Sequence, residues 1–238
     1  MSKRAIILAG GKGTRLRPYT IELPKPLVPI GDYPILEIII RQLTRNGFDH
    51  VTITVNHQAE MIKTYFGDGS KWNIKIDYSL EEKALSTMGP LSLISDLPEH
   101  FLVMNGDILT DLNYDDFYQA HVATDNIFTI SSYVREHVNL YGVLESDANN
   151  KLTDFKEKPV ARFEVSMGIY MLSKAVLEHI PHNEPYGFDH LMLDLIKAEK
   201  NASVRQFDGY WLDIGRPDDY MVAIDEFEKN KGLFLKDA

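Results

Sequence analysis

Residues 8–29 read LAGGKGTRLRPYTIELPKPLVP, and the reading of this stretch decides the fold. It continues the apolar run Ala5-Ile6-Ile7-Leu8, which suits a strand buried on both faces of a parallel sheet. The glycines therefore begin at the carboxyl edge of that sheet, where α/β folds bind ligands. Gly10, Gly11 and Gly13, entered through Leu8 and Ala9, let the backbone turn sharply and bring bare N–H groups toward an anion. Thr14 adds a hydroxyl and Arg15 a forked cation, a set matched to the β- and γ-phosphates of a nucleotide. Lys25 sits between Pro24 and Pro26, whose fixed φ and missing N–H are expected to keep its segment stiff and non-helical, so its ammonium can be aimed at one phosphate. A glycine cluster after a strand also serves as a plain turn, and that alternative stands for GGKG taken alone. Two named phosphate motifs are excluded by counting. A dinucleotide fingerprint begun at Gly11 needs glycine where Leu16 stands, and a P-loop needs Gly-Lys-Ser/Thr after a four-residue gap.

Outward from this stretch, the chain alternates strand and helix patterns. Ile35 to Asn46 has a helical apolar face and ends at Gly47, Val51 to Val55 alternates as a strand, and Gln58 to Phe66 reads as a helix stopped by Gly67. Ile74 to Tyr78 adds a further strand, and this rhythm predicts a parallel, doubly wound sheet. Phe101 to Met104 is continuous and apolar, as a central strand should be, and delivers Asn105-Gly106-Asp107 at its end. There Asp107 is placed either to hold a hard divalent cation or to cap the following turn. The later pattern predicts a helix over Phe117–His121, strands over Ile127–Val134, Leu152–Phe155 and Val165–Leu172, and helices over Leu191–Lys200 and Asp218–Lys229. Asn149-Asn150 reads as a hairpin turn, and Asp189 as a helix cap or a ligand contact. Asp213 stands among bulky apolar residues, where an unpaired carboxylate is costly, so it needs a metal or a cation such as Arg216.

Composition narrows the function classes. The chain has 238 residues, 44% hydrophobic and 25% charged, ordinary for a globular domain with a sizeable core. Its formal charge of −10 argues against general nucleic-acid or anionic-membrane binding, which depends on basic surfaces. Anionic ligands must then be met by local cations and by metal. With no cysteine, disulfides and thiolate zinc sites are impossible. The apolar run after Met1-Ser2-Lys3-Arg4 is too short for a signal segment or a membrane span, and a cytoplasmic location is expected.

Gly10 to Leu16, Pro18, Thr20, Pro24-Lys25-Pro26 and Pro29, in this order and spacing, resemble the signature of the sugar-phosphate nucleotidylyltransferases, or NDP-sugar pyrophosphorylases. The resemblance continues through Gly106-Asp107, Tyr141-Gly142-Val143, Glu157-Lys158-Pro159 and Gly168 to Trp211-Leu212-Asp213-Ile214-Gly215-Arg216-Pro217, nearly the whole chain. It implies a three-layer α/β/α fold with a mostly parallel, Rossmann-like central sheet. It also implies one catalytic domain, with a nucleotide-binding half over about residues 1–110, a sugar-phosphate half over 111–238 and no C-terminal β-helix domain. By the same resemblance Arg15 would hold the leaving pyrophosphate, Lys25 the α-phosphate, Lys158 the sugar phosphate, and Asp107 with Asp213 the Mg²⁺. Asn105, Gly142, Glu157 and Gly168 would line the sugar pocket.

Residues Glu82 to Gly89 match the family's base-reading segment, E-x-P-L-G-T-A-G, only in part, with Ala84, Ser86 and Met88 in place of proline, glycine and alanine. Glu82 could accept from the adjacent N–H donors of guanine, with Gly89 bordering the nucleotide, or Glu81 to Lys83 could form a solvated turn. The expected partners are a nucleoside triphosphate and a sugar 1-phosphate: GTP with a mannose or manno-heptose 1-phosphate, or alternatively dTTP, UTP or CTP with another sugar. A nonenzymatic NDP-sugar sensor is the rival of another class, and it would be expected to have lost a phosphate or metal residue. A glycosyltransferase of similar fold would carry Asp-x-Asp instead of Asn105-Gly106-Asp107. Family members often form dimers or tetramers, and oligomeric state stays open.

Overall fold

The computed structural model describes residues 2–56 and 59–235. Its centre is a seven-stranded sheet in the order Ala202–Gln206, Phe128–Val138, Val160–Ser173, His100–Asn105, Arg4–Leu8, His50–Val55 and Lys75–Leu80. Arg4–Leu8 pairs in parallel with His50–Val55 and with His100–Asn105, and Lys75–Leu80 extends the parallel set. Val160–Ser173 runs antiparallel to both of its neighbours, whereas the edge strand Ala202–Gln206 is parallel to Phe128–Val138. The sheet is thus mostly parallel, with one reversal where the second half of the chain joins the first.

Successive side chains of a strand face opposite ways, and here both faces are covered. Ala5, Ile7, Leu102, Met104, Ile169 and Met171 enter one core, formed with the helices Ile35–Arg45, Ala59–Phe66, Tyr114–Val122 and Pro217–Lys229. Ile6, Phe101, Val103, Tyr170 and Leu172 enter the other, under the helix Phe188–Lys197 and the short 3₁₀ turns Gly89–Leu93 and Lys174–His179. The result is the expected three-layer α/β/α arrangement. Burying each large aliphatic or aromatic side chain contributes roughly 1.5–3 kcal/mol, so these two cores fix the strand ends on which the site stands. Among the described residues no helix is long and apolar enough to cross a membrane.

The predicted elements are found with shifted ends. The helix expected from Gln58 is described from Ala59, Gln58 itself lying outside the described residues. The helix expected at Leu191 starts at Phe188, with Gly187 as its cap residue and Asp189 in its first turn, so Asp189 does not cap it. Val160–Ser173 is far longer than its apolar segment because Val160–Ser166 runs out beyond the core, paired with Ser132–Val138. This extension and the hairpin Val143–Ser146/Leu152–Lys156 form an exposed arm.

Candidate active site

Four strands end at one edge of the sheet, and their continuations line a cavity of about 520 Å³. Leu8 to Arg15 follow the first strand, Asn56 the second, Glu81 the third, and Asn105-Gly106-Asp107 the fourth. Backbone bonds tie these ends together: Ala9 N–H donates to Thr54 O at 3.1 Å, Gly106 N–H to Leu8 O at 3.1 Å, and Glu81 N–H to Val55 O at 2.8 Å. The expected nucleotide residues Leu8, Ala9, Gly10, Gly11, Gly13 and Thr14 all line the cavity, as do Arg15, Lys25, Asn105 and Asp107.

The glycine loop and Lys25 meet at one part of this cavity. Gly13, at φ +60°, is the left-handed residue that starts the turn Thr14–Leu16, and Thr20 Oγ1 donates to its carbonyl at 2.7 Å. Lys25 opens a second 3₁₀ turn, closed by Leu27 N–H to Pro24 O at 2.8 Å, so the segment expected to be non-helical takes one helical turn, which Pro26 allows because a first-turn residue needs no N–H donor. Its ammonium donates to Asp107, and the two side chains are only 13% and 17% exposed. Arg15 is exposed on the cavity wall.

Asp213 reaches the same place through the second half of the chain. It ends the strand Trp211–Asp213, which pairs antiparallel with Ile108–Thr110 just beyond Asp107, and Ile214 N–H donates to Asp107 O at 3.0 Å. Burial pushes the Asp213 carboxyl above the usual aspartate range and repulsion from Asp107 adds to this, while Lys25 and Arg15 oppose it. Two neighbouring carboxylates of this kind call for positive charge. Among the described residues no group of three or more His, Cys, Asp or Glu could enclose a metal ion. A pair of carboxylates still fits Mg²⁺, which commonly takes one or two protein carboxylates and completes its shell with water and substrate phosphates.

The other end is polar and differs from the expectation. Glu82 is exposed and lines a separate cleft beside Arg4, Asp77 and Asp96, so it does not line the glycine-loop cavity. The extended chain turns successive side chains to opposite sides, and it is Glu81 that points inward. Glu81 is buried, accepts Leu85 N–H at 3.3 Å, and has its carboxyl pushed up by burial against the lowering effect of that bond and one to Thr54. A Cβ at Gly10 would lie 2.5 Å from Glu81 Oε1, so the carboxyl rests directly on the glycine loop. Asn56 Nδ2 donates to Gly10 O and fixes the same loop. Gly89, expected to border the nucleotide, is buried outside the cavity: its N–H donates to Tyr186 O at 3.0 Å, and a Cβ there would stand 2.5 Å from Glu184 O.

The sugar residues separate into two groups. Gly168, at φ +75°, meets Asn105, since a Cβ on it would lie 2.6 Å from Asn105 Nδ2. Gly142 lies against Phe155 and Glu157 on the exposed arm, whose Glu157 and Lys158 side chains are 64% and 62% exposed and line no part of the cavity. Thr54, Asn56 and Glu81 were not singled out as site residues from the sequence; a strand-end position shared with Leu8 and Asn105 is the signal that could have found them.

Residues 4–230 match the Nucleotidyl transferase family, and the chain belongs to it. The UTP–glucose-1-phosphate uridylyltransferase of Synechocystis sp. is 35% identical over 241 residues, covering 93% of this chain and 62% of that protein. The probable mannose-1-phosphate guanylyltransferase 1 of Oryza sativa is 33% identical over 230 residues, covering 93% of this chain and 63% of its own length. The chain thus spans less than two thirds of these relatives. Among solved structures, HddC from Yersinia pseudotuberculosis complexed with GMP-PN is 27% identical, with a TM-score of 0.71 over 94% of this chain and 99% of that one.

Proposed function

We propose that this protein transfers a nucleotidyl group from a nucleoside triphosphate to a sugar 1-phosphate, releasing pyrophosphate. The observation that carries this reading is the meeting of the glycine loop, the Lys25–Asp107 pair and Asp213 at one sheet edge, with the buried Glu81 carboxyl lining the same cavity. A phosphate oxygen of the sugar 1-phosphate attacks the α-phosphorus, a new P–O bond forms, and the bridging bond to the β-phosphate breaks. The nucleophile is already an anion, so the task is alignment and charge neutralisation, with no base required.

Lys25, stiffened by its prolines, steadies the α-phosphate, while Arg15 and the glycine-loop N–H groups take the β- and γ-phosphates. Asp107 and Asp213 would hold Mg²⁺, which when bound supplies positive charge to the reacting phosphates. Gly168 makes room for Asn105, which lines the cavity and is offered to the sugar, while Lys158, assigned to the sugar phosphate by the family resemblance, stands on the exposed arm outside this cavity.

For the base, Glu81 takes the role expected of Glu82. A carboxylate accepts from the adjacent N1–H and amino group of guanine, which favours GTP with a manno-configured sugar 1-phosphate. The guanylyltransferase relative and the GMP-PN complex of HddC support that choice. The uridylyltransferase relative favours a second reading, UTP with glucose 1-phosphate. Pyrophosphate release with Mg²⁺ across GTP, dTTP, UTP, CTP and ATP, each paired with mannose, manno-heptose, glucose and galactose 1-phosphates, separates the two. Release that needs both partners supports the transfer, and release from a triphosphate alone counts against it.

A further inference from the structure

The proposed reaction gives Lys25 and Asp107 different partners, the α-phosphate and Mg²⁺, yet in the free protein they are bonded to each other. The Lys25 ammonium donates to the Asp107 carboxylate, and both side chains are little exposed. An ion pair so enclosed is weakly screened by salt, and neither group is available to a ligand while the bond lasts.

Both backbones are fixed. Lys25 sits in its 3₁₀ turn between Pro24 and Pro26, packed so closely on the glycine loop that a Cβ on Gly13 would stand 3.3 Å from its own. Asp107 follows the buried strand His100–Asn105, and its carbonyl accepts Ile214 N–H at 3.0 Å. What can move is the lysine side chain, a point charge on a flexible four-carbon stem, so a change of partner needs only side-chain rotation. The charges give that change a direction. Asp213 stands within electrostatic reach of Asp107, Lys25 and Arg15. Arg15 is exposed, so the enclosed balance is two carboxylates against one ammonium. A divalent cation matches two carboxylates, and Lys25 is then left with its charge to offer to phosphate.

We infer that Lys25 is a tethered counter-ion that guards the metal-binding carboxylates: its ammonium holds Asp107 in the free protein and turns to phosphate when a metal–nucleotide complex arrives. This deepens the proposed function and rests on its phosphate and metal assignments. The exchange makes and breaks no covalent bond. Its consequence is that the free protein binds divalent metal poorly and that phosphate and metal reinforce each other, because a phosphate that draws Lys25 away releases Asp107.

The test measures Mn²⁺ binding, as a paramagnetic substitute for Mg²⁺, by electron paramagnetic resonance on protein without nucleotide or sugar phosphate. Lys25→Met and Lys25→Gln should bind Mn²⁺ about 10–100-fold more tightly than wild type, the factor of one charge-assisted hydrogen bond that no longer has to be broken. Lys25→Arg, which keeps the cation, should stay within about threefold of wild type. Lys12→Met, which removes an equal charge from the exposed part of the glycine loop, should change the affinity by less than about twofold. On an Asp107→Asn background the gain from Lys25→Met should vanish. No gain in Lys25→Met and Lys25→Gln overturns the inference and leaves the proposed reaction standing. A gain that survives Asp107→Asn, or that Lys12→Met equals, also overturns it, since the effect is then one of overall charge. Failure of every protein to bind Mn²⁺, wild type with nucleotide included, overturns this inference and the metal assignment of the proposed function together.

Discussion

Replacing Gly13 by alanine probes how far the phosphate end depends on backbone geometry. At φ +60° an L side chain costs about 1–2 kcal/mol, since Cβ crowds the following carbonyl. The new Cβ would also stand 3.0 Å from Thr20 Cγ2 and 3.3 Å from Lys25 Cβ. Both neighbours must give by a few tenths of an ångström, and Thr20 is tied to the Gly13 carbonyl while Lys25 is fixed between prolines. For a chain of this length the strain should lower Tm by about 2–8 °C. The displaced lysine should lower kcat by about 10-fold or more, given that a 1 Å misplacement of a catalytic group costs about 100-fold. Differential scanning calorimetry and steady-state pyrophosphate release measure the two effects. Normal turnover with a normal Tm would refute the claim that the left-handed turn at Gly13 positions Lys25.

Further outcomes follow from the same site. Glu81→Gln should lower kcat/KM for GTP by about 10–100-fold, the worth of a charge-assisted hydrogen bond, with UTP less affected; equal losses for both would deny Glu81 a part in reading the base. Because burial and Asp107 raise the Asp213 carboxyl in the metal-free protein, its protonation should compete with Mg²⁺, so the Mg²⁺ concentration needed for half-maximal activity should rise on acidification. Asp213→Asn should lose at least about 100-fold in kcat/KM at saturating Mg²⁺; turnover near that of wild type would exclude Asp213 from the site. Away from the site, burial and the adjacent His100 hold the His121 imidazole down to about 4, where it bonds Thr129 and Ser173. Its neutral form stabilises the fold above about pH 6.5, and as pH falls to 4 the unfolded chain takes up the proton first, at a loss of about 3 kcal/mol. Urea titrations at pH 7 and pH 4, on wild type and His121→Asn, check this; identical pH dependence in the two proteins would contradict it.

That the glycine loop, Arg15 and Lys25 share one cavity was legible because they are near in sequence and follow one apolar strand, so little tertiary context is needed to bring them together. Asp107 was legible from its place after an apolar strand. The base end was not, because choosing between Glu81 and Glu82 depends on which way one extended residue turns, and two adjacent glutamates carry no periodicity to decide it. Gly89 resembled a ligand glycine, yet it is required by the close approach of the Glu184–Tyr186 backbone, a contact nearly a hundred residues distant. The edge strand Ala202–Gln206 escaped notice because four of its five residues are small, polar or charged, with Val204 alone apolar and branched. Lys158 and Glu157 were recognisable by motif, but the motif could not show that their arm stands outside the cavity.

The most direct measurement follows label from each phosphate of the triphosphate during one turnover with a sugar 1-phosphate and Mg²⁺. Attack at the α-phosphorus sends the α-label into the nucleotide sugar and the β- and γ-labels into pyrophosphate, in equal amounts. Transfer of the γ-label to the sugar with release of a nucleoside diphosphate, or release of label without any sugar product, would contradict the proposed reaction.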